Sequence, residues 1–122
     1  MIVAGFGFRT LANVSSLLDA FEQAAGSHRP THLSAPEDKA EADCMRAIAS
    51  QLELPVVAVA GDHASAQNTL TQSVKIIETR GVGSIAEAVA LAAAGGGARL
   101  VGPRSISSDR LATCAIAIGA SR

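Results

Sequence analysis

The chain begins with an uninterrupted apolar run, Ile2-Val3-Ala4, that passes directly into Gly5-Phe6-Gly7-Phe8-Arg9-Thr10. Aliphatic residues without polar alternation suit a strand covered on both faces, the situation of sheets that carry helices on each side. Gly5 and Gly7 let the backbone turn sharply or approach another group closely. Arg9 then places a charge at the strand's carboxyl end, where open α/β sheets hold their ligands. A Gly-x-Gly pair is equally the mark of an ordinary tight strand-to-helix turn, so a structural and a binding role stand side by side for these glycines.

Beyond Thr10 the chain alternates between helical and strand patterns. Leu11, Val14, Leu17, Leu18 and Phe21 recur at three and four residues, the stripe of an amphipathic helix. Asn13 is a suitable N-cap and Gly26 a suitable stop. Leu33 to Ala35 reads as a short second strand. It leads into Glu37, Asp38, Lys39, Glu41 and Asp43, and then a second amphipathic helix through Cys44, Met45, Ile48, Ala49 and Leu52. Pro55 to Gly61 is the clearest internal strand and is expected at the centre of the sheet. Asp62 and His63 are expected on a turn at its carboxyl end, before a loop-like Ser65 to Thr69 and a short helix marked by Leu70, Val74 and Ile77. After Arg80-Gly81-Val82-Gly83, Ser84 and Glu87 match the capping box, with Ser84 opening a helix that Gly95-Gly96-Gly97 terminates. Leu100 to Val101 reads as a fourth strand ended by Pro103, Arg104 to Arg110 as a polar loop, and Leu111 to Ile118 as a fifth strand.

Strands separated by helices take right-handed crossovers and lie parallel. The last two are joined by a connection too short for a crossover, and so pair antiparallel. The expected fold is α/β, a three-layer α/β/α arrangement with a mixed sheet of about five strands, the first three parallel and the last two an antiparallel pair. The 122 residues are expected to form one domain over residues 1–122.

Composition narrows the function. Ten Lys and Arg against eleven Asp and Glu leave a formal net charge of -1, which gives no general attraction to nucleic acid or to an anionic membrane. Phe6, Phe8 and Phe21 are the whole aromatic complement, so stacking platforms for single strands are lacking. Cys44 and Cys114 sit among apolar neighbours and read as small buried hydrophobes in a reducing compartment. Ile85 to Ala94 is too short to span a bilayer and the N-terminus has no signal pattern. A cytoplasmic protein is expected, with no metal-ligand spacing and no cofactor. The three parallel strands would bring Arg9, Asp38, Lys39, Asp62 and His63 to one rim.

On several of these residues the chain resembles the cobalamin-biosynthesis family formed by free-standing CobE and the C-terminal domain of CbiG. The carriers are Gly5-Phe6-Gly7-Phe8-Arg9, Lys39 ahead of an acidic helix start, Gly81-Val82-Gly83-Ser84-Ile85-Ala86-Glu87-Ala88 with Leu91, Gly95-Gly96-Gly97, Pro103-Arg104 and Thr113. The likeness spans nearly the whole chain, which looks like the free-standing form associated with the aerobic route to the corrin ring. It departs from the family in having Phe8-Arg9-Thr10-Leu11 where Cys-Arg-Arg-Gly is usual, Ala42 where an acid is usual, and Arg104 where lysines are usual.

The resemblance implies a precorrin or hydrogenobyrinic-acid-like ligand, an apolar macrocycle edged with carboxylates, and other corrin-pathway enzymes as partners. It implies ligand-binding roles for Gly5, Gly7, Phe8, Arg9, Lys39, Gly83, Ser84, Glu87 and Arg104. Guanidinium groups could grip carboxylates through forked hydrogen bonds and Lys39 through a point charge. The leading expectation is a non-catalytic protein that binds or carries a precorrin. A small hydrolase or lyase, opening a lactone and releasing a two-carbon fragment, is the alternative, with Asp62 and His63 as its acid–base candidates. A third is a non-catalytic partner of a biosynthetic enzyme.

Overall fold

The computed structural model describes residues 1–67, 69 and 84–120. The helix expected around Leu70, Val74 and Ile77 lies outside the described residues, as does Gly83. The elements are β1 (Ile2–Phe8), α1 (Val14–Ala25), β2 (His32–Pro36), α2 (Asp43–Leu52), β3 (Val56–Val59), α3 (Gly61–Ser65), α4 (Ile85–Ala94), β4 (Arg99–Leu100), β5 (Ser105–Ile106) and β6 (Ala112–Ile118).

The sheet runs β3-β2-β1-β6-β4, with β5 also on β6. The pairs β1–β2 and β2–β3 are parallel. Strand β6 lies antiparallel to β1 over its full length, from Ile2 opposite Ile118 to Phe8 opposite Ala112. Both β4 and β5 pair antiparallel with β6. The Val101 N–H donates to the Ile116 carbonyl at 2.9 Å, so the two short strands are one strand interrupted around Gly102 and Pro103. The mixed α/β sheet expected from the element order is therefore present.

Three local expectations change. The run from Pro55 to Gly61 is not central: β3 ends the sheet among the described residues. An edge strand sandwiched between helices needs apolar groups on both faces as much as a central one does, so its composition does not reveal its lateral place. Residues 61–65 form helix α3 in place of a turn, which puts Asp62 and His63 on a helix. Part of the polar stretch 104–110 is strand β5.

Alternation along β1 divides the core. Ala4 and Phe6 pack with Leu17, Leu33, Met45, Ile48 and Ile116 beneath α1 and α2. Phe6 stacks on Phe21 with ring centroids 6.4 Å apart. Each fully buried large side chain in this layer contributes about 2 kcal/mol by leaving water. The other face of β1 carries α4. A methyl group at Gly5 would collide with the Ala86 carbonyl oxygen and stand 2.6 Å from the Ala90 nitrogen and 2.8 Å from its Cβ. Val59 and Ala64 extend this second layer with Ala88, Val89 and Ala92.

Helix ends follow their local chemistry. At α1, the Asn13 side chain accepts the Ser16 N–H (3.1 Å) and the Ser16 hydroxyl accepts the Asn13 N–H (3.3 Å), a reciprocal capping box. Gly26, at φ 55°, closes the helix with its N–H toward the Glu22 carbonyl. Ser34 is the one strained note in this layer: it pairs in register with Gly5, so it faces α4, and its hydroxyl is buried without a hydrogen-bond partner among the described residues.

Two substitutions test this packing by thermal or urea unfolding. Gly5→Ala should cost about 3 kcal/mol, because backbone atoms of α4 cannot yield. Ser34→Ala should gain about 1 kcal/mol by removing an unsatisfied buried hydroxyl.

Candidate ligand-binding rim

The carboxyl ends of β1, β2 and β3 and the amino ends of the helices that succeed them form a common rim. At its β1 corner, the Arg9 N–H donates to the Leu111 carbonyl at 2.8 Å, tying the strand's last step to β6. The Arg9 carbonyl accepts from Ala12 at 3.0 Å, so the chain turns through Thr10 and Leu11 into the capped α1. Arg9 is exposed and forms no ion pair among the described residues. Phe8, half-buried, lies beneath the Lys39 ammonium, whose nitrogen is 5.2 Å from the ring centroid. That cation–π contact is worth about 0.5–1 kcal/mol and favours this placement of the lysine. Two turns hold Lys39 there: its N–H reaches the Pro36 carbonyl (2.9 Å) and its carbonyl accepts from Ala42 (3.1 Å). Thus Phe8 and Lys39 meet, and Arg9 is the next residue along the chain from Phe8.

The β2–β3 side differs in charge. A pocket of about 240 Å³ opens there, lined by Pro36, Glu37, Asp38, Val59, Gly61, Ala64 and Ile85. Its floor is apolar and its lip carries two carboxylates. The Glu37 N–H donates to the Val59 carbonyl at 3.0 Å, binding the lip to the edge strand. On α3, the Asp62 carboxylate accepts the N–H of His63 at 2.9 Å, and both side chains are exposed. Successive helical side chains point about 100° apart, so this pair does not form an acid–base dyad by itself.

Behind the rim, Ser84 caps α4 by accepting the Glu87 N–H at 3.3 Å. The Glu87 carboxylate, 0 % exposed, accepts the backbone N–H of Arg104 at 3.0 Å. It therefore pins the interruption between β4 and β5 to the first turn of α4. Gly7 is crowded by the Thr113 hydroxyl (3.0 Å to a Cβ placed there) and by Ile85 (3.3 Å). Thr113 also donates to the Gly7 carbonyl at 3.2 Å. Gly5 is covered by α4, and packing accounts for it. The fully buried Ser84 and Glu87 stand as scaffold, Glu87 bracing the backbone at Arg104 beyond β6.

Two features of the rim carry weak signals in the sequence. Pro36, Val59, Ala64 and Ile85 are apolar positions at element ends and look like core. The β5–β6 hairpin docks on α1 through carboxylates far off in sequence: Asp109 accepts from the hydroxyls of Ser16 (2.5 Å) and Ser107 (2.6 Å) and from the Leu111 N–H (3.0 Å). Asp19 accepts the Ser108 N–H at 2.6 Å. The Ser107-Ser108-Asp109 run is the only local hint, as a turn composition.

Burial pushes the Cys44 and Cys114 thiols up, away from the reactive thiolate form. Among the described residues no group of three or more His, Cys, Asp or Glu could hold a metal ion. No described helix is long and apolar enough to cross a membrane.

Comparison with known proteins places this arrangement. The family described as "Cobalamin synthesis G C-terminus" matches residues 2–117. No curated protein matches significantly in sequence. The crystal structure of CobE, "a protein from the cobalamin (vitamin B12) biosynthetic pathway", is similar at 30% identity and a TM-score of 0.82, over 96% of this chain and 89% of that one. Cobalamin biosynthesis protein chiG from Agrobacterium tumefaciens str. C58 is similar at 32% identity and a TM-score of 0.75, over 99% of this chain and 100% of that one. A putative cobalamin biosynthesis protein G homolog from Sulfolobus solfataricus shares the fold at 18% identity and a TM-score of 0.68, over 95% of this chain and 36% of its own.

The hairpin lock gives a pH prediction. Hydrogen bonds from Ser107, Ser16 and Leu111 hold the Asp109 carboxyl below the ordinary aspartate value of 3.8, and those from Ser108 and Gln23 do the same for Asp19. A depressed folded-state pKa gives stability that is present above 3.8 and lost as pH falls through the lower folded value. Melting temperatures measured from neutral pH into acid should therefore fall less steeply below about pH 4 for Asp109→Asn than for the unaltered protein.

Proposed function

Because the chain belongs to the cobalamin synthesis G C-terminus family, we propose that it binds a polycarboxylate precorrin at this rim and holds it between pathway enzymes in the cytoplasm. The observation that carries the reading is the Lys39 ammonium seated over Phe8 beside the exposed Arg9. A corrin precursor is an apolar ring with a charged margin, and this corner offers an apolar face with two cations at its border. Arg104, at the β4–β5 interruption, lies on the far side of β6 from this corner. The acids Glu37 and Asp38 lie at the other end of the rim, so a polyanion is drawn toward β1 and repelled from β3.

A holding role is favoured over hydrolysis by the placement of the titratable groups. The Asp62 carboxylate is engaged by the His63 backbone, the two side chains diverge along α3, and neither cysteine is poised as a thiolate. Free thiols at Cys44 and Cys114 suit a reducing cytoplasm.

Titration with hydrogenobyrinic acid, monitored by the ligand's visible spectrum and by co-elution, tests the proposal. Arg9→Ala and Lys39→Ala should each weaken binding by roughly tenfold, the scale of one lost charged hydrogen bond. Absence of any spectral change or co-elution with the unaltered protein would overturn it. Conversion of the macrocycle to a lighter product, abolished in His63→Ala, would establish the hydrolase reading instead.

A further inference from the structure

The β5–β6 hairpin turns through Ser107, Ser108, Asp109 and Arg110. The Arg110 N–H donates to the Ser107 carbonyl and the Ser107 N–H to the Ala112 carbonyl, each at 2.9 Å. This is a hairpin in which a tight turn leads into a left-handed residue, a position that selects glycine or asparagine. Arginine occupies it here, at φ 62°. A side chain at a left-handed position is a conformational burden, and nothing within the hairpin rewards arginine for bearing it. Its neighbour Asp109 is saturated by Ser16, Ser107 and Leu111, and Arg110 is exposed and makes no ion pair among the described residues.

The turn is nevertheless held firmly in one place. Asp109 and Asp19 tie it to α1 from two sides, and Arg110 directly precedes Leu111, whose carbonyl accepts the Arg9 N–H at 2.8 Å. The hydrogen bond that fixes the backbone of Arg9 therefore also fixes the backbone next to Arg110. The Thr10–Leu11 turn follows Arg9 directly, and its Leu11 is 82 % exposed, more than any other large apolar side chain described.

We propose that Arg110 is a second carboxylate anchor, acting with Arg9 from the opposite side of the β1–β6 ladder on the charged margin of an apolar macrocycle that Leu11 touches. The inference rests on the polycarboxylate-binding reading above and extends it to a segment outside the parallel-strand rim. Two guanidinium groups on adjoining backbones tied by one hydrogen bond grip two carboxylates, or one carboxylate from two sides, without ordering a loop on binding.

The test uses the full chain, hydrogenobyrinic acid, and its fully methyl-esterified form as a carboxylate-free probe. Arg110→Ala and Arg110→Gly should each weaken binding of the acid by roughly fivefold to tenfold, and Arg110→Lys by less. The esterified probe should bind the unaltered protein and these variants alike. Arg110→Gly separates binding from structure, because glycine suits the left-handed position: it should melt at least as high as the unaltered protein while binding the acid more weakly. Binding that Arg9→Ala weakens but Arg110→Ala and Arg110→Gly leave unchanged overturns this inference alone. Failure of the unaltered protein to bind the acid overturns both readings.

Discussion

Helix α4 can lie against β1 only because Gly5 has no side chain where the Ala86 carbonyl and the Ala90 backbone pass. That contact sets the distance between one helical layer and the sheet, and the rest of the architecture adapts to it. The helix is alanine-rich on its buried side, with Ala86, Ala88, Ala90 and Ala92 all enclosed, so it approaches the sheet as smooth backbone and not as a row of large knobs. The large side chains accumulate on the other face, where Phe6, Leu17, Leu33, Met45, Ile48 and Ile116 fill the space under α1 and α2. One face is packed by proximity and the other by volume.

The close layer also determines what stands at the carboxyl edge of the parallel strands. Because α4 runs with its first turn at the carboxyl ends of the strands, Ile85 comes against Gly7 and into the pocket wall. Glu87 reaches the backbone at Arg104. A buried carboxylate accepting a main-chain N–H replaces the solvation that this interior backbone group would otherwise lose. The rim that results carries Arg9 and Lys39 around β1 and the acids Glu37 and Asp38 around β3. Such a division gives a polyanion an orientation before any contact is made.

Much of this was legible in the sequence where the signal is local. The strand at Ile2, the helix from Asn13 to Gly26, and the cap at Ser84 depend on neighbours within a few residues. Element order then supplied the parallel strands and the final antiparallel pair. What escaped depends on partners distant along the chain. The apolar run at Val56 says that both faces are covered and nothing about which strand lies beside it. Ser105 and Ile106 are too few and too polar to announce a strand. Gly5 offered the same letter for a ligand's space and a helix's space, and only the position of Ala86 and Ala90 distinguishes them. The role of Asp109 is fixed by Ser16, on a helix formed much earlier in the chain.

The interruption between β4 and β5 bears on a different matter, the company the protein keeps with its own copies. A sheet margin with a long row of unpaired N–H and C=O groups invites a foreign strand to add to it. Here the margin is broken into two segments of two residues each. Pro103 between them has no N–H to donate, and the Arg104 N–H that could serve is turned inward to Glu87. Fewer consecutive groups face outward than a stable added strand would need. The same inward hydrogen bond that braces the interruption thus also leaves this margin a poor template for an added strand.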